Sequence, residues 1–273
     1  MTLVLAGVRK LRTRSASLVA LLIAVALVAI EFVVVGATYR SSTMPADQTA
    51  TYDWMLTFPS AYDAVISFVF VFGGLVGMIY VAAVSGTEWS WGTLSVAVAR
   101  GESRSRYVLA TFASVAIILL VGVLAVFAAG VLAAAAGAAL ASLPLNGLTD
   151  GSALTQTALK LARCWVAVVG LSSVGYAAVM VARSQMAGIG AIIGFYIGSA
   201  VAPLFLPDAI KEIFKYLPFS SSGDLIGIQG PQSGGATMSP VLDPNFALVV
   251  TLAWLAGSLA IAALATERAE ITS

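Results

Sequence analysis

Long apolar stretches broken at intervals by single charges organise this chain. Measured against the roughly 20 residues that a membrane-spanning helix requires, the uncharged intervals predict six spans, at about 17–38, 64–85, 107–140, 159–182, 184–206 and 246–266. Pro203 and Pro207 stop the fifth. The stretch from Tyr107 to Thr149 is long enough for two spans. Its later part, Val131–Leu148, is mostly Ala, Gly and Ser, which contribute little to insertion, so one long helix ending near Leu140 is expected. Ala24-Val25-Ala26 looks like a signal-peptide cleavage site but lies inside an apolar run, so the segment reads as a span.

Shorter patterns flank the spans. Leu3, Val4, Val8 and Leu11 fall near one helical face while Arg9, Lys10, Arg12 and Arg14 serve the other, which predicts a helix lying in the membrane interface. Asp208 can cap a helix whose apolar stripe is Ile210, Ile213, Phe214 and Leu217. From Ser220 to Pro244 the Gly-, Ser- and Pro-rich composition predicts an extracellular loop.

Composition sharpens this picture. Of 273 residues, 60% are hydrophobic and 10% charged, and the mean hydropathy is +0.98; a soluble domain carries about 25% charged residues. The expected fold is therefore an all-α integral membrane protein, one transmembrane domain over residues 1–273. No Walker A run occurs, so no nucleotide-binding domain is expected and ATP would have to be bound by another chain. The chain holds no histidine and one cysteine, Cys164, which excludes histidine-based catalysis, a His-ligated metal and an internal disulfide. Cys164 reads as a small apolar filler. A net charge of +1 with no clustered basic face argues against nucleic-acid partners.

Basic residues set orientation. Six spans with the N-terminus inside place Arg9, Lys10, Arg12, Arg14, Arg100, Arg104, Arg106, Arg183 and Arg268 in the cytoplasm, and leave Arg40, Lys160, Arg163, Lys211 and Lys215 outside. Both chain ends are then cytoplasmic.

The loop after the second span is the most distinctive segment. Its middle can form a brief helix with Leu94, Ala97 and Val98 on one face, edged by Glu88, Arg100 and Arg104. Such a face suits docking into a groove of a cytoplasmic partner; Trp89 and Trp91 also fit an ordinary interfacial loop. In this segment the chain resembles the membrane subunits of ABC type-2 transporters, which include the daunorubicin and sodium exporter permeases. Those proteins carry a Glu after the second span, then a Gly-Thr-Leu-like step, then a Pro-x-Ser-Arg turn before the third. Here Glu88, Gly92-Thr93-Leu94 and Ser103-Arg104 stand in that order, with Gly101 where the family often has Pro and Thr111 where it often has Lys.

The resemblance implies a permease in a bacterial cytoplasmic membrane, paired with a second permease copy, as homodimer or heterodimer, and with two ATPase subunits. ATP and magnesium would bind in those partners, and this chain would hold no cofactor. It further implies an ATPase-coupling role for Glu88, Gly92, Thr93, Leu94, Ser103 and Arg104.

Glu31 is the one acid well inside an expected span, and leaving it unpaired would cost roughly 2.5–3.5 kcal/mol. At similar depth, Arg163 is the expected partner in an ion pair; the other reading is a cation contact or proton carrier in a transport path. Gly73 and Gly77, and Gly190, Gly194 and Gly198, recur at spacing four and predict close helix packing, within the chain in preference to a dimer seam. Tyr52, Trp54, Phe58 and Tyr62 read as an aromatic belt in preference to a substrate cage. The reading that emerges is an ATP-driven exporter permease for a hydrophobic or amphipathic substrate or an ion. Its rivals are a proton-coupled secondary transporter using Glu31 and a non-transporting anchor or immunity protein.

Overall fold

A computed structural model describes residues 2–39, 46–90, 96, 99, 101–205, 207, 212–228 and 242–268. Among these, regular structure is entirely helical. The elements are α1 (Thr2–Arg12), α2 (Ser15–Tyr39), α3 (Ala46–Leu56), α4 (Ser60–Ser90), α5 (Arg104–Leu140), α6 (Gly151–Ala182), α7 (Gln185–Phe205), α8 (Pro218–Ile226) and α9 (Pro244–Glu267). Five of them, α2, α4, α5, α6 and α9, are long and apolar enough to cross a membrane. The chain is thus built as a multi-pass membrane protein.

The distribution of apolar side chains fits lipid as the surrounding solvent. Phe32, Ile66, Met78, Leu171 and Tyr176 are fully buried, yet Leu22 and Ile30 on α2, Val121 and Leu132 on α5 and Ile261 on α9 face outward. A helix apolar on all sides belongs in a large core or a membrane. Two of the large polar side chains inside the bundle find backbone partners, as favoured where water is absent. The Tyr176 hydroxyl donates to the Val108 carbonyl at 3.0 Å and the Trp165 indole N–H to the Ala116 carbonyl at 3.1 Å, both tying α6 to α5.

Helix α5 is continuous over 37 residues, about 55 Å at 1.5 Å per residue, and ends in a tight turn at Ser142. It crosses α2 at Gly36 and Gly137, where a Cβ on either residue would strike the other helix's backbone. On the Glu88 side of that crossing a cleft opens among α2, α4 and α5, and α1 packs across α5. There the Ser114 hydroxyl donates to the Val4 carbonyl at 3.0 Å and Gly7 sits directly on the Ser114 side chain.

Two elements differ from the sequence reading. The loop expected from Ser220 contains most of α8, whose stripe Pro218, Ser221, Ser222, Leu225 and Ile226 is buried, with α6 and α9 packed against the helix. Pro218 starts it at the first helical position and Gly227, at φ +69°, ends it in a left-handed cap. Phe58 and Tyr62, expected in an aromatic belt, are buried and stacked edge to face, with centroids 5.1 Å apart. The Tyr62 hydroxyl donates to the Leu148 carbonyl, which turns the ring inward. Of the helix expected after Asp208, residues 212–214 are helical and Lys215 pairs with Glu212; Asp208 to Lys211 lie outside the described residues.

Candidate functional site

Helix ends gather at one end of the bundle. There α1 meets the end of α4 and the start of α5, the ends of α6 and α9 lie beside them, and α7 begins, so both termini of the described chain share this end. Trp89 links α4 to α6: its N–H points at the Met180 sulfur at 3.3 Å and the Arg183 guanidinium lies 5.8 Å over its ring. Gly86 meets Gln185 so closely that a Cβ would collide, which fits α4 tightly to the start of α7.

At the centre is Glu88. Expected on the edge of a loop, it instead belongs to the last turn of α4 and is 4% exposed. Lys10 donates to one carboxylate oxygen at 2.6 Å and the Tyr107 hydroxyl to the other at 2.6 Å. Arg14 stands 3.9 Å from the carboxylate and donates to the neighbouring Thr87 hydroxyl at 2.7 Å. A carboxylate at a helix C-terminus faces the negative end of the macrodipole. The cations and the hydroxyl offset that, and in doing so bind α1, α4 and α5 together. Lys10 and Arg14, assigned by periodicity to a polar outer face, therefore turn inward, while Arg9 and Arg12 stay exposed.

Arg104 makes the second link. At the first turn of α5 its guanidinium donates to the Thr266 carbonyl at 3.3 Å and the Glu267 carbonyl at 3.0 Å, capping the open end of α9. Ser103 is the N-cap of α5, with no side-chain capping bond. Gly101 has φ +89°, a value barred to proline, so this turn cannot carry the Pro of the resembled exporter family. Gly92, Thr93 and Leu94 lie outside the described residues; between them and Gly101, Val96 and Ala99 are helical and exposed.

Glu31 and Arg163 are not brought together. Glu31 sits half-buried on α2, which packs on α4 and α5, whereas Arg163 is on α6 beside Gly227. The pair formed at the far end of α4 is instead Lys160 with Asp63, 2.7 Å to each carboxylate oxygen. Of the small-residue ridges, Gly77 packs against Leu119, Val168 and Ser172 and Gly73 opens on a cleft, but a Cβ on Gly190, Gly194 or Gly198 would meet nothing within 4 Å. Those three positions do not pack inside the chain, contrary to the expectation. Cys164 is fully buried. Among the described residues no group of acidic or cysteine side chains could hold a metal.

The sequence reading missed Lys10 and Tyr107 as partners of Glu88, and Lys160 as the partner of Asp63. These pairs lie 78, 19 and 97 residues apart, so no local pattern marks them. No curated protein matches the chain. Residues 48–272 match the family described as protein of unknown function (DUF2705), and the chain belongs to that family.

Proposed function

We propose that this protein is the membrane-embedded permease subunit of an ATP-driven ABC exporter in a bacterial cytoplasmic membrane. It would move a hydrophobic or amphipathic substrate or an ion outward while a separate ATPase hydrolyses ATP. Helix α7 joins the five long apolar helices as a span, fifth in chain order, in this reading; the end bearing Glu88 is cytoplasmic, and the segment between Ser90 and Gly101, with Gly92-Thr93-Leu94 in it, is the coupling helix. Two ATPase subunits and a second permease copy complete the transporter.

One observation carries the reading: the segment hangs between two helix ends that are each fastened to others. Glu88 fastens α4 to α1 and α5, and Arg104 fastens α5 to α9. A push on the segment would move four helices together, which is what a coupling element must do. Thr111, where the resembled family often has Lys, lines the same cleft as Lys10 and Glu88, so here the ammonium reaches the acid from α1.

The test is purification in mild detergent of the tagged chain co-expressed with its genomic neighbours. A soluble ATPase is expected to co-purify, and Leu94→Asp to release it. A chain that purifies folded and alone, and whose Glu31→Gln variant abolishes proton-driven uptake without ATP, would instead be a secondary transporter.

A further inference from the structure

Between α2 and α5, and lined also by α4 and by Val168 of α6, lies a cleft of about 70 Å3 on the Glu88 side of the helix crossing. Its walls are largely apolar, with small residues such as Ala20, Ala24, Gly73 and Gly122 set among Leu21, Val69 and Ile118. The hydroxyls at its mouth, on Ser17 and Tyr80, already pair with each other at 2.9 Å. Leu18, Leu22 and Ile23 on α2 and Leu120 and Val121 on α5 are exposed, so the helices that frame the cleft face lipid.

The mouth is next to a basic surface. Ser17 also donates to the Leu11 carbonyl at 2.6 Å, which sets the last turn of α1 at the cleft. Leu11 itself is buried, but Leu5, Arg9 and Arg12, at i, i+4 and i+7, form an exposed face of α1. Lys10 and Arg14 are engaged with Glu88 and Thr87; Arg9 and Arg12 are left to face outward. An apolar slot beside the last turn of α1, a helix whose exposed face bears two guanidinium groups, matches a molecule with a hydrocarbon chain and an anionic head.

We propose that this cleft seats the head-proximal methylenes of one acyl chain of an anionic phospholipid from the leaflet on which α1 lies, with the phosphate held by Arg9 and Arg12. The site does not depend on the transport reading. The lipid would fill the cleft between α2 and α5 and pin α1 to the membrane surface, next to the Glu88 cluster.

The test is native mass spectrometry of the delipidated full chain titrated with phosphatidylglycerol or phosphatidylcholine. Two guanidinium contacts predict on the order of a tenfold preference for phosphatidylglycerol. Arg9→Ala with Arg12→Ala should bring its retention down to that of phosphatidylcholine while leaving thermal unfolding unchanged, since both side chains are exposed. Gly122→Leu adds bulk where a Cβ meets nothing within 4 Å, so it should fold and lose retention of both lipids. Equal retention of the two lipids by the unaltered chain, or unchanged retention in either variant, would overturn the proposal. So would a Gly122→Leu variant that dissociates a dimer instead of a lipid, which would assign the cleft to a second copy of the chain.

Discussion

The two ends of α4 solve the same problem in opposite ways. Each carries one acid, Asp63 in the first turn and Glu88 in the last, about 37 Å apart along the axis, a separation greater than the roughly 30 Å of a hydrocarbon core. Asp63 sits where the helix dipole favours an anion, keeps 28% of its side chain exposed and pairs with Lys160. Glu88 sits where the dipole opposes it, keeps 5%, and draws Lys10, Arg14 and Tyr107 from other elements. The first acid is stable largely by position, whereas the second is stable because other elements come to it. That makes the Glu88 end a joint between helices and the Asp63 end a local anchor.

Breaking the joint should cost most. Glu88→Gln removes the charge and keeps the shape, leaving Lys10 and Arg14 facing a neutral group. It should lower unfolding free energy in mixed micelles by about 2 kcal/mol, since charge-assisted hydrogen bonds to a nearly buried carboxylate are lost while Lys10 stays partly solvated. Arg104→Ala, which strips two charge-assisted bonds from the end of α9, should cost about 1.5 kcal/mol and speed hydrogen exchange in the last turn of α9. At the other end Asp63→Asn should cost about 1 kcal/mol or less, because the pair is partly solvated. Alanine at Gly190, Gly194 or Gly198 should change stability by less than about 0.5 kcal/mol, since a Cβ there meets no neighbour in the chain.

The smallest effect is one of pH. Hydrogen bonds from the Ser152 hydroxyl and backbone N–H to the Asp150 side chain hold its carboxyl below the usual carboxylate range. The ionised group is therefore stabilising at neutral pH, and its contribution is lost as pH falls through that depressed value. Amide exchange in the first turn of α6 should rise on acidification before the rest of the helix responds.

The contrast also explains what could be read from the chain. Helices α2, α4, α5, α6 and α9 were legible because apolar length is a property of contiguous residues. Helix α8 carried its own signals, Pro218 at the start and Gly227 at the stop, but Ser220, Ser221 and Ser222 between them gave a buried stripe the look of a loop. The early start of α6 was likewise written in Asp150, whose side chain caps it, although polar residues such as Thr155 and Gln156 follow and hydropathy alone begins the span later. Which faces pack was not legible at all. In lipid the inner and outer faces of a helix are both apolar, so nothing in the sequence announced the meeting of Gly36 with Gly137, and the spacing of Gly190, Gly194 and Gly198 suggested an internal contact that the fold does not make. The Glu88 cluster was half legible: the acid and Arg104 stood out in sequence, but their partners depend on how the helices assemble.

A pair of double-mutant cycles, Lys10 with Glu88 and Lys160 with Asp63, compares the two ends under identical conditions in mixed micelles. A joint at Glu88 and an anchor at Asp63 predict a coupling energy of about 2 kcal/mol for the first pair and below about 1 kcal/mol for the second. Equal couplings, or a larger one at Asp63, would contradict the account.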